Sequence, residues 1–379
     1  MHRDILGIGL AGKSLSDLER RILRERPPFA IVLFGRNIGS AAQLRELIAE
    51  VKSASARPPL MMIDEEGGRV DRLRHLIPGL PSAEGFGEGD KPRELAEWHG
   101  RVIGMALRWF DIEVDLAPVV DIRAAVAPKG LERRIFGSDP ETVVDLAGAF
   151  LRGLHAAGTA GVPKHFPGIG LGSADSHYGT TIINLSLDEL LQRDLIPYQR
   201  LGEEAGAVMI GHGSYPNVAG DDTPATLSRK IAHDLLRDVL HFDGLAISDD
   251  MEMHAVSDLG SYESITERAL MAGNDCVLFC SHVERVPDLQ SHMERRVDED
   301  GKVRARFDEA FARCERYRAH VERLRKHAPA PASFDDILDE AARFIEEFEK
   351  TRPHREVIVP DVDRRTNDRK PRTGREEWT

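Results

Sequence analysis

Cysteines, aromatic residues and long apolar runs are all scarce in this 379-residue chain. The three cysteines, Cys276, Cys280 and Cys314, lack the spacing of a metal site, and an odd number of thiols in an acidic chain fits a reducing compartment. No run of about 18 apolar residues is present, so no membrane-spanning helix is expected. The residues after Met1 show no apolar leader segment. We therefore expect a cytoplasmic protein.

Positive charge is also in deficit. The formal net charge is −13, and no stretch combines basic residues with interleaved aromatic residues, so nucleic acid is not an expected partner. An apolar fraction of 41% is enough for a sizeable core. We expect a globular monomer or a weak homo-oligomer.

What the chain does have is a regular alternation of short apolar runs with amphipathic, helix-like stretches. We predict eight strands, at Ile5–Leu10, Phe29–Phe34, Leu60–Ile63, Val114–Val120, Ala160–Phe166, Ala207–Ile210, Leu245–Ile247 and Cys276–Phe279. Buried strands that are each followed by a helix are typical of a parallel α/β fold, and eight of them predict a (β/α)8 TIM-type barrel. A doubly wound sheet is the alternative, because Gly7–Gly12 is rich in glycine.

Residues 1–350 are predicted to form this barrel as a single domain. Helices predicted at Val303–Arg325 and Phe334–Thr351 either close the barrel or pack on its outside. Residues 351–379 are mostly charged and have no apolar periodicity, so we expect a flexible tail.

Polar side chains follow most of the predicted strands. Acidic, basic or imidazole groups occur at Arg36, Asp64, Asp121, Lys164, His165, His212 and Asp249. Since barrel chemistry collects at the carboxyl ends of the strands, this distribution predicts an active site there.

One of these strand ends and one loop together suggest a pair of catalytic groups. Asp249 and Asp250 end a strand and should point to opposite sides, so one carboxylate can attack a sugar at C1 while the other caps the following helix. His177 is two residues from Asp175, which can orient the imidazole as a general acid or base. A simple turn containing Asp175 and Ser176 is the alternative for that loop.

The stretch Asp64–Arg72 combines charge with a Gly67-Gly68 turn. Asp64 can accept hydrogen bonds from sugar hydroxyls, and Arg72 can bind a further oxygen. The alternative is a charged loop that satisfies itself through Glu66 and Arg69.

A metal hydrolase is the competing class of enzyme. His165, His177, His212 and Asp249 are candidate zinc ligands, but the first strand has no His-x-His pair and the chain has no His-Glu-x-x-His helix. We therefore predict no metal.

Six motifs in order make a resemblance to a known family specific. They are Asp64–Arg72, Leu116–Ile122, Lys164–Gly168, Asp175–His177, Pro224–Ser228 and Ser248–Met251. Together they resemble glycoside hydrolase family 3, and within it the single-domain β-N-acetylhexosaminidases of bacterial cell-wall recycling. The resemblance extends over about residues 5–279.

This resemblance implies a retaining, exo-acting enzyme that removes terminal N-acetylglucosamine from peptidoglycan-derived or related glycans and needs no cofactor. Asp249 matches the family nucleophile, His177 the histidine acid/base and Asp175 its partner. The residues that match the family's sugar-binding set are Asp64, Arg72, Arg134, Lys164 and His165. His165 is alternatively a buried orienting residue.

The sequence departs from the family pattern in the loop before His177. Ile169 stands in place of a second histidine, and Leu171–Ser173 replace an Asp-Thr pair and its neighbour, with loop length kept. Ile135 replaces a serine after Arg134. A sugar-binding barrel without turnover, and a phosphorylase of the same family, are the alternatives to a hydrolase.

Overall fold

The computed structural model describes residues 3–88, 90–125, 128, 130–172, 181–330 and 332–351. Its strands are β1 Leu6–Gly9, β2 Ala30–Leu33, β3 Leu60–Ile63, β4 Val114–Asp115, β5 Ala160–Gly161, β6 Lys164–Phe166, β7 Ala207–Ile210, β8 Leu245–Asp250 and β9 Cys276–Phe279. Every predicted run overlaps one of these strands, and the fifth run contains two; β8 extends three residues beyond its predicted end at Ile247.

The strands form one parallel sheet that curls into a barrel. The order is β5-β4-β3-β2-β1-β9-β8-β7-β6, so the two ends of the sheet are β5 and β6, which only Val162 and Pro163 separate. Pro163 has no N–H to donate, which interrupts the run. Because both pieces belong to one barrel strand, the sheet closes on itself, and the predicted (β/α)8 barrel is confirmed while the doubly wound alternative is wrong.

Helices cover the outside of the sheet. They are α1 Asp17–Glu25, α2 Ala41–Ser53, α3 Pro92–Trp109, α4 Pro140–Ala157, α5 Leu187–Gln192, α6 Ile196–Ala205, α7 Pro216–Ala219, α8 His254–Ser257, α9 Tyr262–Ala272, α10 Val286–Glu299, α11 Gly301–His327 and α12 Phe334–Lys350. Lys230–Val239 is a further helix with wider turns, in which Leu240 N–H reaches back to the Leu235 carbonyl. Short 3₁₀ turns lie at Gly35–Asn37, Ala83–Glu88, Ala225–Leu227 and Val283–Arg285.

Local chemistry sets several of these helix boundaries. Ser16 begins α1 with a capping box to Glu19, and Asp139 accepts hydrogen bonds from two N–H groups at the start of α4. The stretch from Leu187 to Ala205 forms two helices, α5 and α6, because Pro197 favours a new first turn at α6.

Helix α11 lies across the amino ends of the strands. Its apolar residues Phe307, Cys314 and Val321 join the cluster formed by the inward-facing strand residues. Arg318 donates to the carbonyls of Phe29 and Pro58, just before β2 and β3. This helix therefore closes the end of the barrel opposite the strand ends that carry the polar side chains.

Helix α12 packs on α3 through aromatic contacts. Phe344 stacks on His99 with ring centroids 5.5 Å apart and meets Trp98 edge-on at 5.6 Å. The His99 ring is buried, without a hydrogen-bond partner among the described residues, and its burial lowers its pKa to about 3, so the ring is neutral and packs as an aromatic group.

Phe344→Ala should therefore lower the free energy of unfolding by about 3–5 kcal/mol, since it leaves a cavity among fully packed rings. Glu346→Ala, an exposed change on the same helix, should alter it by less than about 0.5 kcal/mol. Urea titration of both variants measures the difference. Similar small losses in both would mean that α12 is not part of the barrel's cooperative unit.

Candidate active site

Lys164 is a buried cation at the carboxyl end of the barrel. Its Nζ lies 2.6 Å from Asp64 Oδ1 and 2.6 Å from Glu66 Oε1. Burial alone lowers the pKa of the ammonium, but Asp64 and Glu66 outweigh that effect and raise it above its ordinary value. The side chain therefore stays charged at neutral pH.

Glu66 also binds Arg134 with both carboxylate oxygens. Arg134 Nε lies 2.7 Å from Glu66 Oε2, and a terminal guanidinium nitrogen lies 2.7 Å from Oε1. Burial of Glu66 raises its pKa, yet Arg134 and Lys164 outweigh burial and hold the pKa well below its ordinary value. One carboxylate thus joins two of the predicted sugar-binding residues.

The strand geometry explains this arrangement. Asp64 and Glu66 both contact Lys164, whereas Glu65 accepts hydrogen bonds from the backbone of the following loop, as expected when successive side chains alternate in direction. The following Gly67 and Gly68 have φ of +79° and +59°, which glycine adopts without strain, so the predicted sharp turn is confirmed.

His165 is held by a carboxylate beneath it. Its Nδ1 lies 2.8 Å from Asp121 Oδ2, and the other oxygen of Asp121 accepts the Ile169 N–H at 2.7 Å. The His165 ring is 6% exposed. Asp121 therefore orients both the imidazole and the first part of the loop that follows β6.

Asp249 is half-buried near the end of β8. Burial raises the pKa of its carboxyl group, but the nearby imidazoles of His212 and His165 and the Asp250 N–H outweigh burial, so the pKa lies below its ordinary value. The group is ionised at neutral pH. The neighbouring Asp250 accepts N–H groups of Glu252 and Cys280, so it stabilises the turn after β8 rather than beginning α8, which starts at His254.

His212, at the end of β7, is fixed on both ring nitrogens. Nδ1 lies 2.8 Å from the Thr226 hydroxyl and Nε2 lies 3.0 Å from the Asp250 carbonyl. Burial lowers the pKa of His212, although Asp249 opposes this. The ring therefore orders the backbone beside Asp249.

Arg72 is not part of the ion-pair network around Lys164. Its Nε is buried and has no hydrogen-bond partner among the residues that the structure describes. The side chain instead lines a cavity of about 500 Å³. The other cationic side chains that line this cavity are Lys13, Arg36, Arg69 and Arg74.

Asp175 and His177 lie outside the described residues. The two nearby departures from the family pattern are visible, however. Ile169 packs against a small apolar cluster formed by Val119, Leu131 and Ile135, and also against the main apolar core. Ile135 and Ile169, which both depart from the family pattern and are 34 positions apart, therefore pack together. Their contact joins the loop that follows β6 to the loop that carries Arg134.

Sequence reasoning missed three contributors to this site. Glu66 was paired with Arg69 in the alternative interpretation, but Arg69 binds Glu132 at 2.6 Å and Glu66 binds Lys164 and Arg134. The sequence places Asp121 only at a strand end, and it offers His212 as a strand end and a candidate zinc ligand. Two-residue alternation from Asp64 is the signal that could have placed Glu66 beside Lys164.

The zinc alternative is not supported by the described part of the chain. There, the one group of three ligand-type side chains whose donor atoms come together is His233, Asp234 and Asp238 on the helix Lys230–Val239. His165, His212 and Asp249 do not form such a group.

Comparison with known proteins identifies the family. The model of the glycosyl hydrolase family 3 N-terminal domain matches residues 12–316. The chain belongs to this family. A curated relative, the beta-hexosaminidase of Pseudomonas aeruginosa strain LESB58, is 39% identical over 280 residues, covering 73% of this chain and 82% of the relative.

Solved structures of family 3 enzymes share the fold. A β-N-acetylglucosaminidase from Paenibacillus sp. FPU-7 superposes with a TM-score of 0.79 at 28% identity, covering 90% of this chain and 67% of that one. Native NagZ from Neisseria gonorrhoeae superposes with a TM-score of 0.75 at 26% identity, covering 92% and 98%. The predicted class, a glycoside hydrolase of family 3 that resembles β-N-acetylhexosaminidases, is confirmed, and its substrate is a carbohydrate.

None of the helices described in this family 3 chain is both long and apolar enough to cross a membrane.

Glu66→Gln should destabilise the family 3 barrel by about 3–5 kcal/mol, since two buried cations lose their shared carboxylate. The pKa of Glu66 lies below its ordinary 4.5, so the stability it contributes is present above about pH 4.5 and is lost as the pH falls below that value. The variant should therefore show a shallower loss of stability in acid. Denaturant midpoints between pH 3 and pH 7 measure both effects.

Glu132→Gln is the matched control, because its pair with Arg69 is partly exposed, and it should cost less than about 1 kcal/mol. Equal losses for the two variants would contradict the buried network.

Proposed function

We propose that this family 3 enzyme is a retaining, exo-acting β-N-acetylhexosaminidase that removes terminal N-acetylglucosamine from peptidoglycan-derived or related glycans. The names of its relatives, a beta-hexosaminidase and a β-N-acetylglucosaminidase, support the sugar. The cation-lined cavity beside Arg72 supports a glycan that carries carboxylates.

The observation that carries the proposal is the ionised Asp249 at the mouth of the barrel. A carboxylate held below its ordinary pKa is ready to attack C1 of a bound sugar. In the first step its oxygen bonds to C1 as the bond from C1 to the leaving oxygen breaks. The product is a covalent glycosyl-enzyme ester, which is the hallmark of a retaining mechanism.

We assign the proton transfers to His177. Its imidazolium gives a proton to the leaving oxygen in the first step, and the neutral ring then takes a proton from the water that attacks C1 in the second. Asp175 would stabilise the charged ring. Each turnover returns both groups to their starting states.

The sugar itself would be held by the residues around Lys164. Asp64 accepts hydrogen bonds from hydroxyls, while Lys164, Arg134 and His165 donate to oxygens. The buried Nε of Arg72, which has no hydrogen-bond partner among the described residues, supports a further donor role beside the cavity that Arg72 lines. Since these charges are already paired with each other in the protein, the binding site needs little rearrangement.

Neither alternative function is favoured by the comparisons. The two relatives are named as a beta-hexosaminidase and a β-N-acetylglucosaminidase, not as a binding protein or a phosphorylase. Water is therefore the proposed acceptor. A cytoplasmic location and a monomeric or weakly oligomeric state remain predictions, as does the assignment of residues 1–350 to one domain.

Asp249→Asn should lower the rate of 4-nitrophenol release from the N-acetyl-β-glucosaminide by about 10³-fold or more, because the amide cannot form the ester. Asp258→Asn, an exposed change after the same strand, should keep the native rate. Trapping with a fluorinated glycosyl fluoride and peptide mass mapping should place the label on Asp249. A label on another residue would overturn the assignment.

His177→Ala should slow hydrolysis of natural glycans by about 10²–10⁴-fold but spare 4-nitrophenyl substrates, whose leaving group needs no proton. Kinetics on both substrates measure the difference. Equal losses would remove His177 from the role of acid.

A further inference from the structure

Glu65 is a buried carboxyl group that the proposed reaction does not use. It lies between Asp64 and Glu66, which hold Lys164, and its own side chain is 0% exposed. Its contacts are with the loop that carries Arg72.

Glu65 and Asp71 tie this loop together at several points. Glu65 Oε2 accepts the N–H groups of Arg72 at 2.8 Å and Leu73 at 3.1 Å. Asp71 Oδ2 accepts the N–H of Leu80 at 3.1 Å. The backbone of Glu65 donates to Asp115 Oδ1, at the end of β4, at 3.0 Å. The path of the loop from β3 to Leu80 depends on these contacts.

The remaining oxygens of the two carboxyl groups have no N–H donor. Glu65 Oε1 and Asp71 Oδ1 are both buried, and no group among the described residues donates to either. The two side chains are close enough for each to act on the pKa of the other. Since carboxylates are only acceptors, a hydrogen bond between these two oxygens requires one proton that the pair shares.

We propose that Glu65 is a positioning residue that holds Arg72 in place through a proton shared with Asp71. With one proton between them, the two groups carry a single negative charge and form a hydrogen bond inside the loop. When the proton leaves, two negative charges face each other in a buried space, and the loop that carries Arg72 loosens.

The surroundings favour retention of the proton. Burial raises the pKa of Glu65 most, and Asp71 and Asp115 raise it further, so it lies well above its ordinary value. Burial also raises the pKa of Asp71, although its hydrogen bonds and the cation of Arg74 oppose this. Since the two groups share one proton, they titrate as a pair.

Three further charged groups change the pKa of Asp115, which neighbours the pair. Lys164 lowers that pKa, whereas Asp64 and Glu66 raise it. Burial raises the pKa of Asp115 too, although Lys164 opposes this. Arg74 is a cation that acts on Asp71, but burial outweighs it and the pKa of Asp71 is still raised.

The test uses Glu65→Gln in the full chain. The amide has the same shape, and its N–H₂ group supplies at every pH the donor that the proton supplies in the native protein. A raised carboxyl pKa stabilises the fold at low pH and loses that contribution as the pH rises. Between about pH 6 and pH 9 the native Tm should fall by about 3–5 °C more than that of the variant.

Asp71→Asn provides a second variant with the same expected result, in case the first does not fold. Glu65→Ala is the control that removes the side chain and all its hydrogen bonds, so it should lower Tm at every pH. If the native protein and both amide variants show parallel Tm curves, the shared proton is excluded. These readouts need no enzymatic activity.

The second readout rests on the proposed function. On 4-nitrophenyl N-acetyl-β-glucosaminide, the native KM should rise about tenfold from pH 6 to pH 9 as Arg72 loses its position, while the KM of Glu65→Gln stays nearly constant. The kcat of the two proteins should change with pH in the same way, because Asp249 and His177 are unaltered in both. A KM that rises equally in both would overturn the positioning role. A Tm difference without any turnover would instead reject the proposed function alone.

Discussion

A buried ammonium must be neutralised where it lies, and that requirement organises the mouth of this barrel. At an effective dielectric constant near 20, opposite unit charges about 4 Å apart attract by about 4 kcal/mol. Lys164 binds Asp64 and Glu66, which directly follow β3, and Glu66 also binds Arg134 in the loop after β4. Three elements distant in sequence are thereby brought into register before any sugar arrives.

This constraint explains the division of labour among neighbouring acidic residues. Asp64, Glu65 and Glu66 are consecutive, but the outer two contact a cation and the central one contacts backbone amides. The same residue type is therefore ionised with a lowered pKa at Glu66 and has a raised pKa at Glu65. Strand alternation decides which environment each carboxyl group meets.

The barrel is predictable from sequence because its signals are local. Short apolar runs such as Leu60–Ile63 and Cys276–Phe279 coincide with β3 and β9, and serine or aspartate caps mark the helix starts. The pairing of Glu66 with Arg134 is not predictable in this way, because the residues are 68 positions apart and Arg69 offers a nearer partner. The resemblance supplies the names of the sugar-binding residues but not the contacts between them.

Helix α11 gives the fold a strongly non-local end. Arg318 binds the carbonyl of Phe29 across 289 positions, and Arg325 binds Asp111 and the Ile112 carbonyl across more than 200. During synthesis all the strands are therefore complete before helix α11, which covers their amino ends, has left the ribosome. Until then the inward-facing apolar residues are open to water at that end. High contact order of this kind slows folding, and the apolar surface that stays exposed makes the incomplete chain prone to aggregation.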